Sequence, residues 1–532
     1  AKEMLAVWEK ENTFKASVEL RPEDEPYVFY EGPPSANGMP GIHHVMGRAI
    51  KDIFCRFATL NGKRVERKAG WDTHGLPVEL GVEKELGITK EDIGTKITVE
   101  EYNQACRKAV MKYTGVWNDL TRQMGYWVDM DSPYVTYENK YIESVWWLLG
   151  QLYKKDLIYK GYTIQPYSPM AGTGLSTHEL NQPGTYRNVK DTTIVAQFRA
   201  TSEGETIIRG CYSDQSDLPI YLLAWTTTPW TLPSNTALTV GPKIDYAIVK
   251  TTNRYTEEPC IVVLAEALIE KQFDKKAPDH EVIGRCKGSD LVGVKYHQLI
   301  DWAQPMDSPE EAFRVIPGDF VTTEDGTGIV HTAPTFGADD MQVAKAAAVP
   351  PMLVDDGTGH GVPIVDLQGR IREGFGPFSG YFVKNEYYSD GSAPDKSVDV
   401  EIAIDLKTRG QAFKVEKYEH SYPHCWRTDK PILYYPLDSW FVRATEKKER
   451  MAELNATINW KPASTGTGRF GKWLENLNDW NLSRSRFWGI PIPIWRTEDG
   501  SEERCISSVE ELANACAEAV KAGLMDSNPL AN

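Results

Sequence analysis

The pattern of apolar and polar positions is most informative near the start of the chain, over residues 27–57. Four consecutive residues that favour extended structure, 27–30, predict a short buried strand. A loop rich in glycine and proline follows, and after it apolar residues recur at helical spacing, at Met46, Ile50, Ile53, Phe54 and Phe57. The pattern therefore predicts strand, loop and helix in succession, the unit from which open α/β sheets are built.

The pattern changes character further along the chain. Residues 98–155 are helical in pattern, with spaced aromatic residues that we interpret as packing. Between 184 and 410, short β-favouring runs alternate with turns, and they predict strands over 193–198, 220–223, 237–240, 246–250, 260–264 and 282–283. We therefore predict a mostly-β domain, 184–410, inserted into an α/β domain. The α/β domain would comprise an N-terminal helix and residues 1–183, then 411–495, and 496–532 would begin a further insertion with a polar hairpin and a helix over 508–522.

Length and composition restrict the class of protein. A chain of 532 residues that is 41% hydrophobic can form two or three domains, and no apolar run approaches the roughly 20 residues of a membrane span. The net charge of −16 argues against a protein that coats nucleic acid, although a local basic face can coexist with an acidic total. Eight cysteines without a CxxC pair suit a reduced, cytoplasmic protein. His420, His424 and Cys425 lack a second ligand pair nearby, so no metal site is predicted.

The loop before the predicted helix carries candidate chemistry. Free N–H groups and the dipole at a helix start attract anions, so a glycine-rich loop there favours phosphate binding. Two imidazoles, His43 and His44, lie at this helix start. The alternative is an ordinary loop with two surface histidines, because glycine-rich turns are common.

Two further strings hold candidate binding residues. In GWDTHGLPVE, residues 70–79, the carboxylate of Asp72 lies at a turn edge before a helix predicted from Leu76. It would bind a ligand ammonium or, alternatively, cap that helix. The string NLSRSRFWGIPIP, residues 481–493, read by itself could simply end a core strand.

The predicted insertion contains two polar strings. WTTTPWTLPSN, residues 225–235, follows a predicted strand and places the hydroxyls of Thr226, Thr227 and Thr228 in a row, although threonines in strands are usually only β-formers. GTGIVHTAPTFGADD, residues 326–340, adds His331 and the adjacent carboxylates Asp339 and Asp340.

These strings together carry a family resemblance. PSANGMPGIHH, residues 34–44, resembles the first signature of class I aminoacyl-tRNA synthetases, in the form used by their isoleucine-specific members, and GWDTHGLPVE and NLSRSRFWGIPIP resemble the same subgroup. The resemblance implies a Rossmann-type α/β catalytic domain with an inserted mostly-β editing domain. It implies catalytic roles for His43, His44 and Asp340, and ATP binding, with Mg²⁺, by Asn37, Gly38, Gly41 and His44. By the same resemblance Gly32, Pro33, Asp72 and Trp488 would bind isoleucine, with Asp72 on the α-ammonium and Trp488 as a wall.

The resemblance also implies a second site. One missing methylene gives only about 150-fold discrimination in this enzyme family, which is the standard worked example of the limit, so a second sieve is needed. The inserted domain resembles that sieve: Asp340 would anchor the α-ammonium, and the pocket would be shaped by Thr226, Thr227, Thr228, Asn235 and His331. The resemblance implies isoleucine, ATP and tRNA(Ile) as substrates. It also implies hydrolysis of mischarged valyl-tRNA as the editing reaction. A cytoplasmic monomer without a membrane partner is expected.

The family's KMSKS-like loop, whose lysine stabilises the transferring phosphate, occurs nowhere in this sequence. The resemblance therefore implies an amino-terminal fragment with half of the catalytic domain and a complete editing domain, competent only for editing. Zinc would belong to the missing part of the parent enzyme. The alternatives are a valyl-tRNA synthetase, or a freestanding tRNA-editing or tRNA-binding module.

One departure from the family pattern leads to a structural prediction. The usual ending of the first signature is His-x-Gly-His, whereas this chain has Gly41-Ile42-His43-His44. If the helix start were unchanged, the His43 ring would intrude where the base packs. We predict a rearranged turn in which Gly41 absorbs the change through a positive φ, His43 points away from the nucleotide and His44 still faces the phosphates.

Overall fold

The computed structural model describes residues 1–214, 216–273, 277–497 and 500–531. The chain divides into two compact units, and two stretches form the first of them. Unit 1 consists of Ala1–Lys160 and Trp440–Asn532, and unit 2 consists of Gly161–Ser439. The two strands Ile158–Ser168 and Leu433–Val442 contain the points at which the chain passes from one unit to the other.

Unit 1 is mainly helical. Its longer helices are Lys2–Lys10, Thr13–Glu19, Ile42–Leu60, Leu76–Leu86, Val99–Val110, Thr114–Met124, Asn139–Lys154, Lys448–Ala456 and Val509–Lys521. Its short strands are Lys68–Trp71, Asp129–Val135, Trp480–Asn481, Ile494–Arg496 and Glu503–Cys505. Lys68–Trp71 and Asp129–Val135 pair in parallel, as an α/β unit requires, with Trp71 opposite Val135.

The predicted buried strand over 27–30 is wrong. Among the described residues this segment makes one ladder-type bond, from Tyr27 N–H to the Arg64 carbonyl, and Val28 and Tyr30 are 68% and 88% exposed. β-Favouring residues form a strand only where a neighbour supplies a ladder, and here the next parallel bridge is at Ser35, opposite Asp72.

The helix predicted after the loop is confirmed as Ile42–Leu60. Its buried residues are Cys55, Ala58 and Thr59, whereas Ile53 and Phe57 are each 67% exposed. The helical period was therefore correct, and the packed side of the helix is the one that carries its small residues.

The region 98–155 contains the predicted helices and one strand that the pattern did not indicate, Asp129–Val135. Trp117 and Trp146 are buried, in agreement with their interpretation as packing, but Trp147 is 55% exposed. The predicted C-terminal hairpin and helix are present as the antiparallel pair Ile494–Arg496 with Glu503–Cys505 and the helix Val509–Lys521.

Unit 2 is built on one large mixed sheet. Its strands, in spatial order, are Glu281–Lys287, Asp245–Thr252, Pro259–Ala265, Ile220–Thr226, Ile329–Thr332, Ala237–Val240 and Arg314–Pro317. Tyr186–Arg199 pairs with Ile220–Thr226 and with Ala412–Pro423. All six β-runs predicted from the sequence lie within these strands. The shorter strands are Thr173–Gly174, Leu353–Asp355 and Gly361–Pro363, and the longer helices are Ser202–Arg209, Ala338–Ala346 and Val398–Thr408.

The compact unit, Gly161–Ser439, is wider than the predicted insertion, 184–410. The reason is the long antiparallel pairing between Tyr186–Arg199 and Ala412–Pro423, which runs from Ala412 opposite Ala196 to Pro423 opposite Tyr186. This ladder keeps residues on both sides of the predicted boundary at 410 in the same unit. The change of composition near 410 thus precedes the last strand of the sheet, Ala412–Pro423.

A buried ion pair in unit 2 holds the turn that follows the central strand. Asp399 accepts a hydrogen bond from the backbone N–H of Trp230 at 2.9 Å and faces the Lys384 ammonium at 3.3 Å. The side chains of Lys384 and Asp399 are 7% and 5% exposed. Because an unpaired charge at this depth would be costly, the pair fixes the turn Pro229–Ser234 against the helix Val398–Thr408.

Within the described part of the chain, none of the helices is both long and apolar enough to cross a membrane.

Candidate functional site

A cavity of about 450 Å³ opens in unit 2 where the strand Ile220–Thr226 ends. Volumes of this size are typical of small-molecule sites. The cavity is lined by Trp225, Thr226, Thr227, Thr228, Thr231, Phe320, Thr322, Glu324, Asp325, Gly326, Thr327, Gly328, Ile329, Val330, His331, Ala333, Phe336 and Asp340. Five of the six residues predicted for the second site thus line this cavity: Thr226, Thr227, Thr228, His331 and Asp340. The sixth, Asn235, lies behind the cavity wall.

The threonine row is held by its own backbone. The hydroxyl of Thr226 accepts a hydrogen bond from the backbone N–H of Thr228 at 3.1 Å, which is an ordinary local turn motif. The hydroxyls of Thr226 and Thr228 are 3.3 Å apart, and that of Thr228 is 3.4 Å from that of Thr231. Thr226 is the last residue of its strand, opposite Ile194, and Thr227 and Thr228 lie beyond the strand; all three line the cavity, unlike threonines that serve only as β-formers.

Asp340 is placed by the first turn of the helix Ala338–Ala346. Its carboxylate accepts a hydrogen bond from the backbone N–H of Ala333 at 2.8 Å. The pKa of Asp340 is raised to about 6, chiefly by burial; the hydrogen bond from the Ala333 N–H opposes the shift, and the negative charge of Asp339 adds to it. The result is a carboxylate that is ionised at neutral pH and only weakly solvated, which suits a ligand cation.

His331 is 7% exposed and lies at the back of the cavity. Burial lowers its pKa to about 3, so the ring is neutral at physiological pH. Its two nitrogens are both engaged, Nε2 with the Thr231 hydroxyl at 3.0 Å and Nδ1 with the Asn235 amide at 2.9 Å. The cavity therefore combines hydroxyls, one neutral imidazole and one anchored carboxylate.

Sequence reasoning missed several residues of this cavity. Thr231 lies inside the quoted string WTTTPWTLPSN, but it is separated from the threonine row by Pro229 and Trp230. Glu324 and Asp325 precede the string that begins at Gly326 and add negative charge to the lining. If the string GTGIVHTAPTFGADD had been extended by two residues toward the N-terminus, it would have included them.

The second candidate site is in unit 1, around the loop 32–44. Tyr113 N–H bonds to the Ala36 carbonyl at 3.0 Å, and Trp117 Nε1 donates to the Gly38 carbonyl at 2.9 Å. Asn37 accepts from the Ser35 hydroxyl at 3.0 Å. Gly32 has open space around it, with Pro33 beside it partly buried. The helices of residues 99–124 thus hold the loop by its backbone and leave its outer side uncovered.

The start of the helix Ile42–Leu60 differs from the rearranged turn that was predicted for the sequence Gly41-Ile42-His43-His44. Gly41 has φ −111° and ψ 171°, ordinary extended backbone, so the predicted positive φ is wrong. The His43 ring instead lies over Gly41, where a Cβ on residue 41 would come within 2.8 Å of His43 Cε1. The backbone did not need to change because the absence of a side chain at Gly41 leaves room for the neighbouring ring.

His44 is anchored at this helix start. Its Nδ1 accepts a hydrogen bond from the Gly41 N–H at 2.9 Å, and its ring packs edge-on against Trp117 at 4.7 Å. Burial, followed by the charges of His43 and Arg48, lowers the pKa of His44. With Nδ1 accepting, a neutral His44 carries its proton on Nε2, the nitrogen left for a ligand.

Asp72 lies beside this loop. Its backbone N–H bonds to the Pro34 carbonyl at 3.0 Å, and it forms a parallel bridge with Ser35. The alternative role as a helix cap is wrong, since the cap residue of Leu76–Leu86 is Gly75, at φ 115°, and the bond that the Asp72 carboxylate accepts from His74 N–H is long, at 3.4 Å. The carboxylate is exposed, although nearby protein atoms raise its pKa by partial desolvation.

Trp488 is joined to the segment that carries Asp72. Its indole N–H donates to the Thr73 carbonyl at 2.6 Å, and its ring packs edge-on against His74 at 5.4 Å. Burial lowers the pKa of His74 to about 4, so this ring is also neutral. Trp488 is 7% exposed and packs with Val78, Val82, Ile93, Tyr102, Cys106 and Val110. Most of the Trp488 indole is therefore part of the hydrophobic core of unit 1.

The described residues contain no group of three or more His, Cys, Asp or Glu side chains placed to hold a metal ion. His420 instead bonds to Asp191 at 3.1 Å, and His424 Nδ1 lies 3.0 Å from the Tyr422 carbonyl.

Comparisons with known proteins identify the family of the chain. Residues 3–527 match the family described as tRNA synthetases class I (I, L, M and V). The chain is 61% identical to an isoleucine–tRNA ligase of Bacteroides fragilis, over 99% of this chain and 48% of that protein. It is 44% identical to the isoleucine–tRNA ligase of Clostridium tetani, over 96% of this chain and 44% of that protein. A leucyl-tRNA synthetase from Agrobacterium radiobacter K84, solved in a ternary complex, matches 95% of this chain and 52% of its own with 14% identity and a TM-score of 0.34.

Proposed function

We propose that this chain, which belongs to the class I tRNA synthetases, is part of an isoleucine–tRNA ligase. The family resemblance stated from the sequence motifs is thereby confirmed. The chain spans about half the length of the curated relatives it matches, and those relatives are isoleucine–tRNA ligases. The isoleucine specificity is supported by 61% identity and by the strings that contain Asp72 and Trp488.

The proposed reaction of the whole protein has two steps. The carboxylate of isoleucine attacks the α-phosphorus of ATP, which enters with Mg²⁺, and pyrophosphate leaves. A terminal hydroxyl of tRNA(Ile) then attacks the carbonyl of the adenylate, and AMP leaves. In unit 1, Asp72 would hold the α-ammonium, and the loop with Gly32, Pro33, Asn37 and Gly38 would lie along the adenylate.

At the start of the helix Ile42–Leu60 in unit 1, the N-terminal N–H groups and His44 Nε2 would face the phosphates. His43 would support His44 through their ring contact, with centroids 3.8 Å apart. Because Gly41 carries no side chain, it leaves the space that His43 occupies.

The second proposed activity is hydrolysis of valyl-tRNA in the unit 2 cavity. The observation that carries it is the convergence of three threonine hydroxyls, a neutral His331 and the partly buried Asp340 carboxylate on one cavity of about 450 Å³. The carboxylate binds the α-ammonium of the misplaced amino acid, and the hydroxyls hold the terminal ribose and a water molecule. Glu324 and Asp325 keep the lining negative, which favours a substrate end that is positively charged.

The hydrolytic step needs no covalent enzyme intermediate. The water oxygen forms a bond to the ester carbonyl carbon, the bond from that carbon to the ribose oxygen breaks, and the ribose oxygen takes a proton as valine leaves. An aminoacyl ester is already activated, so positioning can supply most of the rate gain.

The test is deacylation of valyl-tRNA(Ile) by the 532-residue chain, with isoleucyl-tRNA(Ile) as the cognate comparison. We expect the chain to hydrolyse the valyl ester faster, and Asp340→Ala to abolish hydrolysis. The matched control is Asp339→Ala, which removes the neighbouring exposed carboxylate and should retain most of the activity. Absence of hydrolysis by the parent chain, or equal loss in both variants, would contradict the proposal. A valyl-tRNA synthetase would spare its own product, so hydrolysis of the valyl ester also excludes that alternative.

A further inference from the structure

Behind the unit 2 cavity a chain of hydrogen bonds joins four buried side chains. The Tyr296 hydroxyl donates to Asn235 Oδ1 at 2.7 Å, the Asn235 amide contacts His331 Nδ1 at 2.9 Å, and His331 Nε2 contacts the Thr231 hydroxyl at 3.0 Å. Tyr296 and Asn235 are each 2% exposed. Of these four side chains, His331 and Thr231 line the cavity. The series of hydrogen bonds therefore begins in the core of unit 2 and ends at the cavity.

Two backbone carbonyls determine which atoms donate and which accept in this series of hydrogen bonds. The Asn235 nitrogen Nδ2 lies 2.8 Å from the Ala237 carbonyl and 3.4 Å from the Thr332 carbonyl. Carbonyl oxygens only accept, so the amide cannot be turned over without placing its own oxygen against them. Tyr296, at the other side of the amide, supplies the donor that Oδ1 requires. The Asn235 NH₂ group therefore faces His331 Nδ1 and donates to it.

The protonation of His331 follows from that direction. A nitrogen that accepts from Asn235 carries a lone pair, so the single proton of the neutral ring is on Nε2. Nε2 then donates to Thr231, whose own hydroxyl proton goes to the Thr228 carbonyl at 2.8 Å. In this arrangement every proton of the chain has a defined acceptor.

We propose that Tyr296, Asn235 and Thr231 are positioning residues that hold His331 as a neutral imidazole with its proton on Nε2, so that it is a fixed donor to Thr231 at the cavity wall and offers no base to the cavity. This inference rests on the proposed hydrolysis of aminoacyl esters at the same site. Burial, which lowers the pKa of His331 to about 3, acts in the same direction, because a charged ring would place a proton on Nδ1 facing the Asn235 NH₂ group. The water that attacks the ester is thus oriented through hydroxyls, without transfer of its proton to His331.

The first test needs no substrate. In the full 532-residue chain labelled with ¹⁵N-histidine, the His331 signals are assigned by their loss in His331→Gln and followed between pH 5 and 8. We expect Nδ1 to resonate as an unprotonated ring nitrogen and Nε2 as a protonated one, without change across this range. A proton on Nδ1, or titration of the ring near neutral pH, would overturn the inference.

The second test separates a fixed donor from a base by kinetics of valyl-tRNA deacylation. Glutamine retains one donor and one acceptor but cannot serve as a base, so His331→Gln should keep hydrolysis within about tenfold of the parent, whereas His331→Ala should lose about a hundredfold or more. Equal loss in both variants, with both folded, would show that a base was removed.

Tyr296→Phe tests the distant end of the chain. Removal of one hydroxyl should lower kcat about tenfold, leave KM within about twofold, and allow a second His331 tautomer to appear in the ¹⁵N spectrum. The matched control is Tyr387→Phe, which removes another buried hydroxyl of unit 2, bonded to the Pro431 carbonyl at 2.9 Å, and should leave kcat and the spectrum unchanged. An unaltered kcat and spectrum in Tyr296→Phe would refute its positioning role. If the parent chain hydrolyses no ester, the proposed function fails while the tautomer remains measurable.

Discussion

The Glu79 carboxylate accepts a hydrogen bond from the backbone N–H of Trp488 at 2.9 Å, although the two residues are 409 positions apart in the sequence. The same carboxylate bonds to Arg486 Nε at 2.6 Å, and Arg486 also pairs with Glu83. Glu79 ends the string GWDTHGLPVE, and Trp488 lies in NLSRSRFWGIPIP. This buried group therefore joins two strings that are far apart in the chain and sets the position of Trp488 relative to the Asp72 segment.

Glu79→Gln should destabilise unit 1. The side chains of Glu79 and Arg486 are 1% and 7% exposed, and the substitution removes one of the carboxylate charges that face the buried guanidinium. We expect a loss of about 3 kcal/mol in the free energy of unfolding, measured by urea denaturation. The matched control, Glu19→Gln, breaks the exposed pair with Lys15 and should cost under about 1 kcal/mol. Equal effects of the two variants would show that the buried pair has no special weight.

Hydrolysis of valyl-tRNA should fall as the pH decreases through about 6. The pKa of Asp340 is raised to about 6, so its carboxylate, the proposed ammonium anchor, becomes protonated in that range. The measurement is kcat/KM between pH 5 and 8, corrected for spontaneous hydrolysis. A flat profile would indicate that Asp340 does not titrate in the functional range.

The same pKa predicts a gain in stability for Asp340→Asn at neutral pH. A carboxyl whose pKa is higher in the folded than in the unfolded state binds a proton preferentially when folded, so its contribution to stability declines as the pH rises from about 4 to about 6. Asparagine does not ionise and escapes that decline. Asp340→Asn should therefore gain thermal stability over the parent at pH 8, gain less at pH 5, and hydrolyse no valyl-tRNA. A loss of stability that is the same at both pH values would contradict the raised pKa.

Gly337→Ala should impair hydrolysis without strain in the backbone. Gly337 has φ −135°, which any residue adopts, but a Cβ there would lie 2.7 Å from Asp340 Cγ. The added methyl group must displace the carboxylate, and we expect at least a tenfold fall in kcat/KM for valyl-tRNA, as small displacements of reacting groups are costly. The matched control is Gly115→Ala in a helix of unit 1, where a Cβ meets no atom within 4 Å. Unchanged hydrolysis in Gly337→Ala would show that Asp340 can move without consequence.

His43→Ala should raise the pKa of His44. The pKa of His44 is lowered by burial first and then by the charges of His43 and Arg48, so removal of the neighbouring ring removes one of these causes. NMR titration of the His44 ring in the 532-residue chain gives the measurement. His280→Ala, which removes a histidine of unit 2 packed on Phe273, should leave the His44 titration unchanged. A fall in the His44 pKa in His43→Ala would contradict the electrostatic coupling.

Around the loop before Ile42–Leu60, local pattern and tertiary contacts decide different features of the chain. The helix was predictable because its apolar period is local, but the strand over 27–30 was not formed, since a strand depends on a partner that the local pattern does not contain. The conformation of Gly41 was predicted wrongly for a related reason. The freedom of glycine allows positive φ but does not require it, and the neighbouring His43 ring used the free space instead.

What the sequence determined by itself was the family, six of the strands in the large sheet of unit 2 and the identity of most candidate residues, because these depend on short strings and local periods. Only the tertiary structure decided which of those residues face a common cavity, that Asn235 lies behind it, and that Tyr296 and Thr231 belong to the same hydrogen-bond chain. It also decided that Glu79 and Trp488 are neighbours. Burial, proton direction and the contacts of residues hundreds of positions apart arise when strands and helices pack, and no local pattern of residues encodes them.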